Sequence, residues 1–311
     1  MSITSRPAPD EAPGRGHSED YFGDYRDFWW NADFVALMAR RLGLGRCRRV
    51  LDAGCGMGHW TRVLVPHLAR GTAVTGVDTD AKWASGQSNV ALEDMPQGIT
   101  LALERGDVCA LPFADASFDC VTCQTLLIHV PDPRLALAEM LRVLAPGGLL
   151  LCVEPDNFGI WSAAGSMADD EPVDHRVEAF HFALVCERGR VALGRGNPSV
   201  GGRLPRLFAA LGVRDIGVRL SDKAVPLYPP YDSDEQRATV RDIEAWYRGG
   251  ADFSRDEALQ LFIAGGGEAG TFDVHWQREL GRRERTLDQL RTRRFDCAGG
   301  VLMYLVSGRK G

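Results

Sequence analysis

A glycine-rich turn separates an apolar stretch from a helical pattern in the sequence VLDAGCGMGHW, which runs from Val50 to Trp60. A strand that ends in such a turn and continues as a helix leaves backbone N–H groups without partners, and these can bind a carboxylate or a phosphate. Glycine at positions 54, 56 and 58 lets the backbone adopt positive φ and approach a ligand closely. The turn therefore predicts an anion-binding site, and a tight structural turn is the alternative.

The spacing of the glycines distinguishes two classes of ligand. Dinucleotide-binding turns follow G-x-G-x-x-G, and the third glycine of that pattern would fall at His59. The spacing is instead G-x-G-x-G, with Asp52 two residues before Gly54. The segment DAGCGMG resembles motif I of the class I S-adenosylmethionine (SAM) methyltransferases. The resemblance implies that Asp52, Gly54, Gly56 and Gly58 take part in binding SAM.

Two further acidic residues follow strand-like stretches. Asp78 ends the apolar run AVTGVD, and an acid at the end of a second strand can accept hydrogen bonds from both ribose hydroxyls. The later segment GDVCALPFADASFD resembles the adenine loop of small-molecule methyltransferases, which implies that Asp107 binds the adenine amino group and Val108 flanks the ring. Asp107 could also cap its own backbone in a turn, and the two roles are compatible.

These segments alternate with helical patterns, which indicates a parallel sheet with helices on both faces. We predict an α/β fold with a Rossmann-like sheet of seven mostly parallel strands. The predicted strands are residues 49–53, 73–80, 99–105, 118–124, 149–153, 214–220 and 298–311. Ligands of such sheets bind beyond the carboxyl ends of the strands. The glycine turn, Asp78, Asp107, Gln124 and Glu154 all fall at those ends, so five features predict one site, with Gln124 among the cofactor-binding residues.

The composition predicts a short tail followed by one large domain. Residues 1–18 are rich in Pro, Gly, Ser and charge, which is typical of disorder, and residues 19–311 are assigned to a single methyltransferase domain. The predicted core of this domain comprises residues 45–156, 200–221 and 298–311. Two mostly helical stretches, 158–199 and 232–295, lie outside the resemblance, and we predict that they form a helical cap that shapes a substrate pocket. Within the first, a helix over 172–193 is expected to bury Val177, Phe180, Leu184 and Val185.

Methyl transfer from a sulfonium needs a positioned acceptor and, for a neutral acceptor, a base. His129 follows the fourth strand and Glu154 ends the fifth, so both are candidate bases. A structural turn is the alternative for His129, and binding of substrate or SAM is the alternative for Glu154. Asp156, His175 and His181 are weaker candidates for the same role.

Aromatic residues supply candidates for the remaining contacts. In related methyltransferases the segment before the first strand often closes over the cofactor, which implies that Tyr25 contacts SAM and Trp29 the substrate. Phe158, Trp161 and His181 are candidates for the substrate pocket. Packing of the aromatic groups against the sheet or within the cap is the alternative in each case.

Charge and cysteine content exclude several classes of protein. The net charge of −6 disfavours a general binder of nucleic acid or of anionic membranes, and no stretch reaches the length of an apolar membrane span. The 8 cysteines, without a secretory signal, predict reduced thiols in the cytoplasm. Cys120 and Cys123 form a CxxC inside a strand pattern, where they point to opposite faces, so we predict packed cysteines and no metal.

The glycine turn and the segment after the third strand resemble the ubiquinone/menaquinone-biosynthesis-type small-molecule methyltransferases. The resemblance implies an enzyme that transfers a methyl group from SAM to an O, N or C atom of a small organic acceptor, with specialised metabolism as one setting. A peptide or protein acceptor is one alternative, and a SAM-fold binding protein without catalysis is another. A nicotinamide oxidoreductase is disfavoured because His59 replaces the third glycine. The helical stretches could also support a homodimer.

Overall fold

The computed structural model describes residues 23–84, 95–159, 165–168, 171–248, 254–299 and 302–311. The tail predicted for residues 1–18 lies outside the described residues, as does Trp161.

Seven strands among these residues form one sheet in the order β3-β2-β1-β4-β5-β7-β6. The strands are β1 Arg49–Ala53, β2 Ala73–Asp78, β3 Thr100–Arg105, β4 Phe118–Gln124, β5 Leu144–Pro155, β6 Arg214–Leu220 and β7 Met303–Arg309. β1 to β5 pair in parallel, and β7 runs antiparallel to β5 and β6. The prediction of a seven-stranded, mostly parallel sheet is confirmed, and the carboxyl ends of β1, β2, β4 and β5 share one edge.

Helices lie before, between and after the strands. The α-helices are α1 Ala32–Leu42, α2 His59–Leu64, α3 Ala81–Ala84, α4 Pro133–Val143, α5 Val173–Ala192, α6 Leu204–Ala210, α7 Asp234–Arg248, α8 Arg255–Ala264 and α9 Phe272–Arg291. Short 3₁₀ segments are Gly23–Phe28, Leu44–Arg46, Val65–His67, Gly165–Ala168, Gly201–Arg203 and Ala269–Thr271. α5 lies in the first predicted insertion and α7 to α9 in the second; that they form a cap stays a prediction.

Local chemistry explains where these helices begin and end. α1 stops at Gly43, whose φ of 76° lets its N–H reach back to the carbonyls of Ala39 and Arg40. α4 starts after Asp132, whose side chain accepts a hydrogen bond from the N–H of Arg134, with proline at the first helical position. The bounds predicted for β5 were too short, since the strand already begins at Leu144.

Two apolar clusters cover the two faces of the sheet. Val50 and Leu51 are neighbours in β1, yet they belong to different clusters, as alternation along a strand requires. Cys120 and Cys123 are likewise fully buried in different clusters. The prediction that this CxxC consists of packed strand cysteines is therefore confirmed.

The apolar face predicted for α5 was largely wrong. Val185 is buried, but Val177 is 61% exposed, Phe180 42% and Leu184 39%. The buried residues of this helix are instead Phe182, Val185, Cys186 and Gly189. The reason is that α5 packs backbone against backbone on α8, because a Cβ added at Gly189 would overlap the carbonyl of Leu261.

Gly189→Ala is expected to lower the free energy of unfolding by about 1–3 kcal/mol, since the new methyl group forces the two helix backbones apart. Gly281→Ala in α9 is the matched control, because its added Cβ meets only the Arg285 side chain, at 3.5 Å. The control should be stabilising by about 0.5–1 kcal/mol through helix propensity. Urea unfolding of both variants tests this, and equal effects would contradict the close packing of α5 on α8.

Candidate functional site

The glycine turn connects β1 to α2 and adopts the backbone that its sequence predicts. Gly54, Gly56 and Gly58 have φ values of 66°, 47° and 86°, which favour glycine over other residues. The N–H groups of Gly54 and Cys55 donate to the carbonyl of Val77 at 2.8 and 3.1 Å. The turn is therefore fixed against the carboxyl end of β2.

Two of the predicted cofactor-binding acids hold this turn in place. Asp52 is buried, and its Oδ2 accepts a hydrogen bond of 2.6 Å from the hydroxyl of Thr61 in α2. Asp78 is 4% exposed; its Oδ2 accepts from the N–H of Gly56 and its Oδ1 from the N–H of Asp80, both at 3.0 Å. The structure thus brings the acid at the end of β2 into direct contact with the glycine turn.

Asp107 lies in the loop after β3, and its Oδ1 accepts a hydrogen bond of 2.8 Å from the N–H of Cys109. The alternative of a backbone-capping turn residue therefore describes its present contacts, and the neighbouring Val108 is buried. The following loop is held by Arg142 of α4, which donates to the carbonyls of Leu111 and Phe113 at 3.0 and 2.8 Å. Sequence reasoning did not find Arg142, although its pairing with Glu139 three residues earlier was a readable signal.

Glu154 lies at the end of β5, but its side chain points inward. The residue is fully buried, and its carboxylate accepts hydrogen bonds from the N–H groups of Leu126, Leu127 and Ile128 at 3.0, 2.9 and 3.3 Å. Burial raises the pKa of Glu154 to about 7, against the opposing effect of these hydrogen bonds. This geometry favours a positioning role for the turn after β4 over direct contact with a substrate.

The other candidates near this turn are more accessible. Gln124 ends β4 and is half-buried, and His129 is exposed. The N–H of His129 donates to the carbonyl of Leu126, which places His129 at the end of the turn that Glu154 holds. The structure therefore connects the two candidate bases through one turn.

The segment before β1 packs beside the glycine turn. Asp27 forms an ion pair with Arg62 of α2, and its Oδ1 lies 3.6 Å from Nδ1 of His59. Burial, reinforced by the charge of Arg26, lowers the pKa of His59 to about 4. Near neutral pH His59 is therefore uncharged, and the ionic attraction in this contact comes from Arg62.

Aromatic packing strengthens the same contact. The rings of Trp30 and Trp60 are 5.2 Å apart, and the indole N–H of Trp60 donates to the hydroxyl of Thr122 in β4 at 2.8 Å. The 3₁₀ segment Gly23–Phe28 and the tryptophans after it are thus attached to both α2 and the sheet. This arrangement is compatible with a segment that covers a ligand of the glycine turn.

Tyr25 and Trp29 lie within this segment. Burial raises the pKa of Tyr25, with further contributions from the charges of Asp242, Cys297 and Glu235. Its ring meets that of Trp29 edge-on at 6.1 Å, and the guanidinium of Arg26 lies 5.1 Å from the Trp29 ring. The described contacts of both residues are internal, and their contacts with SAM or substrate stay predictions.

A polar network connects α5 to the carboxyl end of β5. The N–H of Phe158 donates to Oδ1 of Asp156 and to the hydroxyl of Ser199, both at 3.0 Å. The Ser199 hydroxyl in turn donates to Oε2 of Glu187 in α5 at 3.1 Å. Burial, and secondarily the charge of Asp156, raises the pKa of Glu187. Sequence reasoning missed Glu187 and Ser199, because nothing in the local sequence marks their pairing.

The neighbouring residues Phe180 and His181 of α5 point in different directions. The ring of Phe180 packs edge-on against that of Phe158, with centroids 4.7 Å apart. The exposed ring of His181 instead lies 6.0 Å from that of His275 in α9. Phe158 and Phe180 therefore lie together near the end of β5, whereas His181 faces the neighbouring helix.

Two kinds of feature are absent from the described residues. Among the described residues, no group of three or more His, Cys, Asp and Glu could hold a metal ion. Within the same part of the chain, no helix has the length and apolar character needed to cross a membrane.

Comparisons with known proteins converge on the segment that carries the glycine turn. Residues 51–152 match the family model described as "Methyltransferase domain". Demethylmenaquinone methyltransferase of Staphylococcus aureus (strain MRSA252) is 38% identical over 113 residues, which are 36% of this chain and 45% of that protein. The chain thus spans less than half the length of the curated relatives it matches.

Solved structures extend the similarity of fold over most of the chain. A putative methyltransferase from Bacillus halodurans superposes with a TM-score of 0.51 at 18% identity, covering 89% of this chain and 99% of that one. The YcgJ protein of a Bacillus species gives a TM-score of 0.49 at 21% identity, with 90% and 99% coverage. The first of these similarities supports the fold alone.

Proposed function

We propose that residues 51–152 form a methyltransferase domain of the class I SAM-dependent type. From this premise, the chain transfers a methyl group from SAM to an O, N or C atom of a small organic acceptor. The observation that carries the proposal is the hydrogen bond between the N–H of Gly56 and the carboxylate of Asp78. It brings the two most specific cofactor signals of the sequence together at the carboxyl edge of the sheet.

The residues at this edge fit the groups that SAM carries. Asp78 supplies a buried carboxylate for the ribose hydroxyls, and Asp107 with Val108 is proposed to bind adenine. The glycine turn supplies backbone N–H groups for the methionine carboxylate. The positive charge of Arg26, which acts on the neighbouring His59, favours that carboxylate as well.

Bound SAM would supply a methyl group on a sulfonium, which a nucleophile displaces in line. The main contribution of this chain is then to hold the acceptor in position, an effect that can supply roughly 7–11 kcal/mol of the barrier. His129, exposed at the end of the turn after β4, stays the candidate for receiving a proton. Glu154 is proposed to fix that turn through its three backbone hydrogen bonds.

The name of the relatives indicates a class of acceptor. The name of the Staphylococcus aureus relatives describes the methylation of a small molecule, which favours a small organic acceptor here. A location in the cytoplasm and a homodimer formed through the helical stretches stay predictions from the sequence.

A calorimetric and thermal-shift titration of the purified protein with SAM, S-adenosylhomocysteine (SAH) and NAD tests the proposal. SAM and SAH are expected to bind, and at about 100 times the dissociation constant a ligand adds ~2.7 kcal/mol of apparent stability. NAD should produce no shift. Binding of NAD alone would show that the glycine turn has been misassigned, and binding of none of the three would favour a non-catalytic protein.

A further inference from the structure

A pair of charged residues on α4, Glu139 and Arg142, holds the loop between β3 and β4. All three nitrogens of the Arg142 guanidinium donate hydrogen bonds, at 2.8 to 3.0 Å. The acceptors are the carboxylates of Glu139 and Asp115 and the carbonyls of Leu111 and Phe113. An arginine carries five N–H donors in one plane, and these five hydrogen bonds use all of them.

Glu139 adds a contact of its own to the same loop. Its Oε2 accepts a hydrogen bond of 3.0 Å from the N–H of Leu111, whose carbonyl Arg142 also binds. The hydrogen bond from Arg142 lowers the pKa of Glu139, and Glu139 raises that of Arg142, so both side chains stay charged near neutral pH. The backbone of Leu111 is therefore held at both of its polar groups by one charged pair.

The residues held in this way determine where Asp107 lies. The N–H of Ala110 donates to the carbonyl of Asp107 at 2.9 Å, and Leu111, the next residue, is buried. Pro112 packs on Gly106, since a Cβ added at Gly106 would lie 2.8 Å from the proline Cδ. Asp107 and the residue before it therefore contact residues 110 and 112, which adjoin the residue that the charged pair of α4 holds.

Stability alone is a weak reason for such an arrangement. The side chain of Arg142 is 32% exposed and that of Asp115 79%, and ion pairs of this accessibility contribute little to the free energy of unfolding. A planar guanidinium that joins two carbonyls and a carboxylate instead fixes geometry. The geometry fixed here is that of the loop proposed to bind adenine.

We infer that Arg142 and Glu139 are positioning residues for cofactor specificity, which hold the loop so that Asp107 accepts a hydrogen bond from the adenine amino group. The inference rests on the proposed function, since it concerns the binding of SAM at the same site. A purine with a carbonyl in place of that amino group would present a second acceptor to Asp107, and two acceptors cannot bond each other. The charged pair should therefore favour adenine over hypoxanthine without touching either base.

Calorimetry with SAH and with S-inosylhomocysteine, in which that amino group is replaced by a carbonyl, measures this preference. The wild type is expected to bind SAH at least about tenfold more tightly, the effect of one hydrogen bond to a charged group. Arg142→Lys keeps the positive charge but loses the planar set of donors. This variant should bind SAH about tenfold more weakly than the wild type, and its two dissociation constants should be close to each other.

Two further variants complete the measurement. Glu139→Gln removes the negative charge and keeps one carbonyl acceptor, so it should reduce the preference for SAH in the same direction but less. Arg283→Lys in α9 is the matched control, because Arg283 is paired with Glu279 one helical turn earlier and should change neither dissociation constant. Thermal unfolding of each variant without ligand checks that it is folded. A merely structural role of Arg142 would lower the unfolding temperature and leave the ratio of the two dissociation constants unchanged.

The outcomes separate this inference from the proposed function. If the wild type binds neither SAM nor SAH, the proposed function fails, and the inference fails with it. If SAH binds but the wild type does not prefer it to S-inosylhomocysteine, the inference alone is overturned. It is also overturned if Arg142→Lys keeps the wild-type ratio of the two dissociation constants, or if Arg283→Lys loses that ratio as well. Should Arg142→Lys not fold, the ratio measured in Glu139→Gln decides in the same way.

Discussion

Asp78→Ala is expected to weaken the binding of SAM and SAH by at least about 100-fold, which would place it below detection in an ordinary titration. The substitution removes a buried carboxylate proposed to accept two hydrogen bonds from the ribose. It also removes the acceptor for the N–H groups of Gly56 and Asp80, so the glycine turn loses its connection to the end of β2. Calorimetry with SAH measures the loss directly.

Two further variants distinguish the loss of a contact between Asp78 and the ligand from a disruption of the glycine turn. Asp80→Ala removes an exposed acid two residues along, whose side chain accepts a hydrogen bond from the N–H of Lys82, and should leave SAH binding nearly unchanged. Asp78→Asn keeps one oxygen acceptor and the approximate volume of the side chain. The glycine turn should therefore keep its conformation, while SAH binds more weakly. Normal SAH affinity in Asp78→Ala would remove this residue from the cofactor site.

The sheet and its glycine turn could be predicted because their signals are local. Each apolar run that became β1, β2 or β4 is short and followed by a glycine or a polar residue, and the predicted bounds of β4 are those observed. Since the carboxyl ends of parallel strands meet at one edge of the sheet, the residues at the end of each run were predicted to lie together. The structure shows this contact between Asp78 and the glycine turn. No tertiary information beyond the order of the elements was required.

Which face of α5 is buried could not be predicted, because the helix carries apolar residues on both sides. Periodicity assigned the burial to Val177 and Phe180, but the packing is decided by Gly189, where the backbone of α8 approaches. Glycine contributes little to a hydrophobic pattern, so the closest contact of the helix left no signal. The pairing of Glu187 with Ser199 has the same origin, since it depends on how the helix is placed against the loop that carries Ser199.

The direction of the Glu154 side chain could not be predicted from the sequence either. Its place at the end of β5 indicated a residue facing the ligand, in line with Asp78. The structure turns the carboxylate inward because three consecutive N–H groups, from Leu126 to Ile128, need an acceptor in a partly buried turn. A sequence shows which residue ends a strand, but not which backbone groups of another loop require it.

Glu154→Ala is expected to cost roughly 3–9 kcal/mol of unfolding free energy, because it leaves one buried and two part-buried N–H groups without their acceptor at about 1–3 kcal/mol each. Glu154→Gln should behave differently, since its amide resembles the protonated acid in shape and keeps one carbonyl acceptor. Urea unfolding of both variants beside the wild type gives the two values. A loss below ~1 kcal/mol in Glu154→Ala would contradict the structural role of this carboxylate.

The pH dependence of Glu154→Gln tests the buried state itself. The folded pKa of Glu154 is raised to about 7 from 4.5, so the folded protein keeps a proton that the unfolded chain releases above about pH 4.5. The stability of the wild type relative to Glu154→Gln should therefore fall as pH rises from about 5 to 8, by about 3 kcal/mol in total. A relative stability that rises with pH would show that the carboxylate is ionised and stabilising throughout.

The same variant decides between a base and a positioning residue. If Glu154 removed a proton from the acceptor, Glu154→Gln would abolish turnover at every pH while SAH binding and folding remained intact. If Glu154 instead fixes the turn before His129, Glu154→Gln should lower kcat moderately. The dependence of kcat on pH should then follow the pKa of another group, the one that removes the proton. Because Glu154 is fully buried behind three backbone donors, we expect the second result. His129→Ala, which removes an exposed side chain from that turn, should then cause the larger loss of kcat.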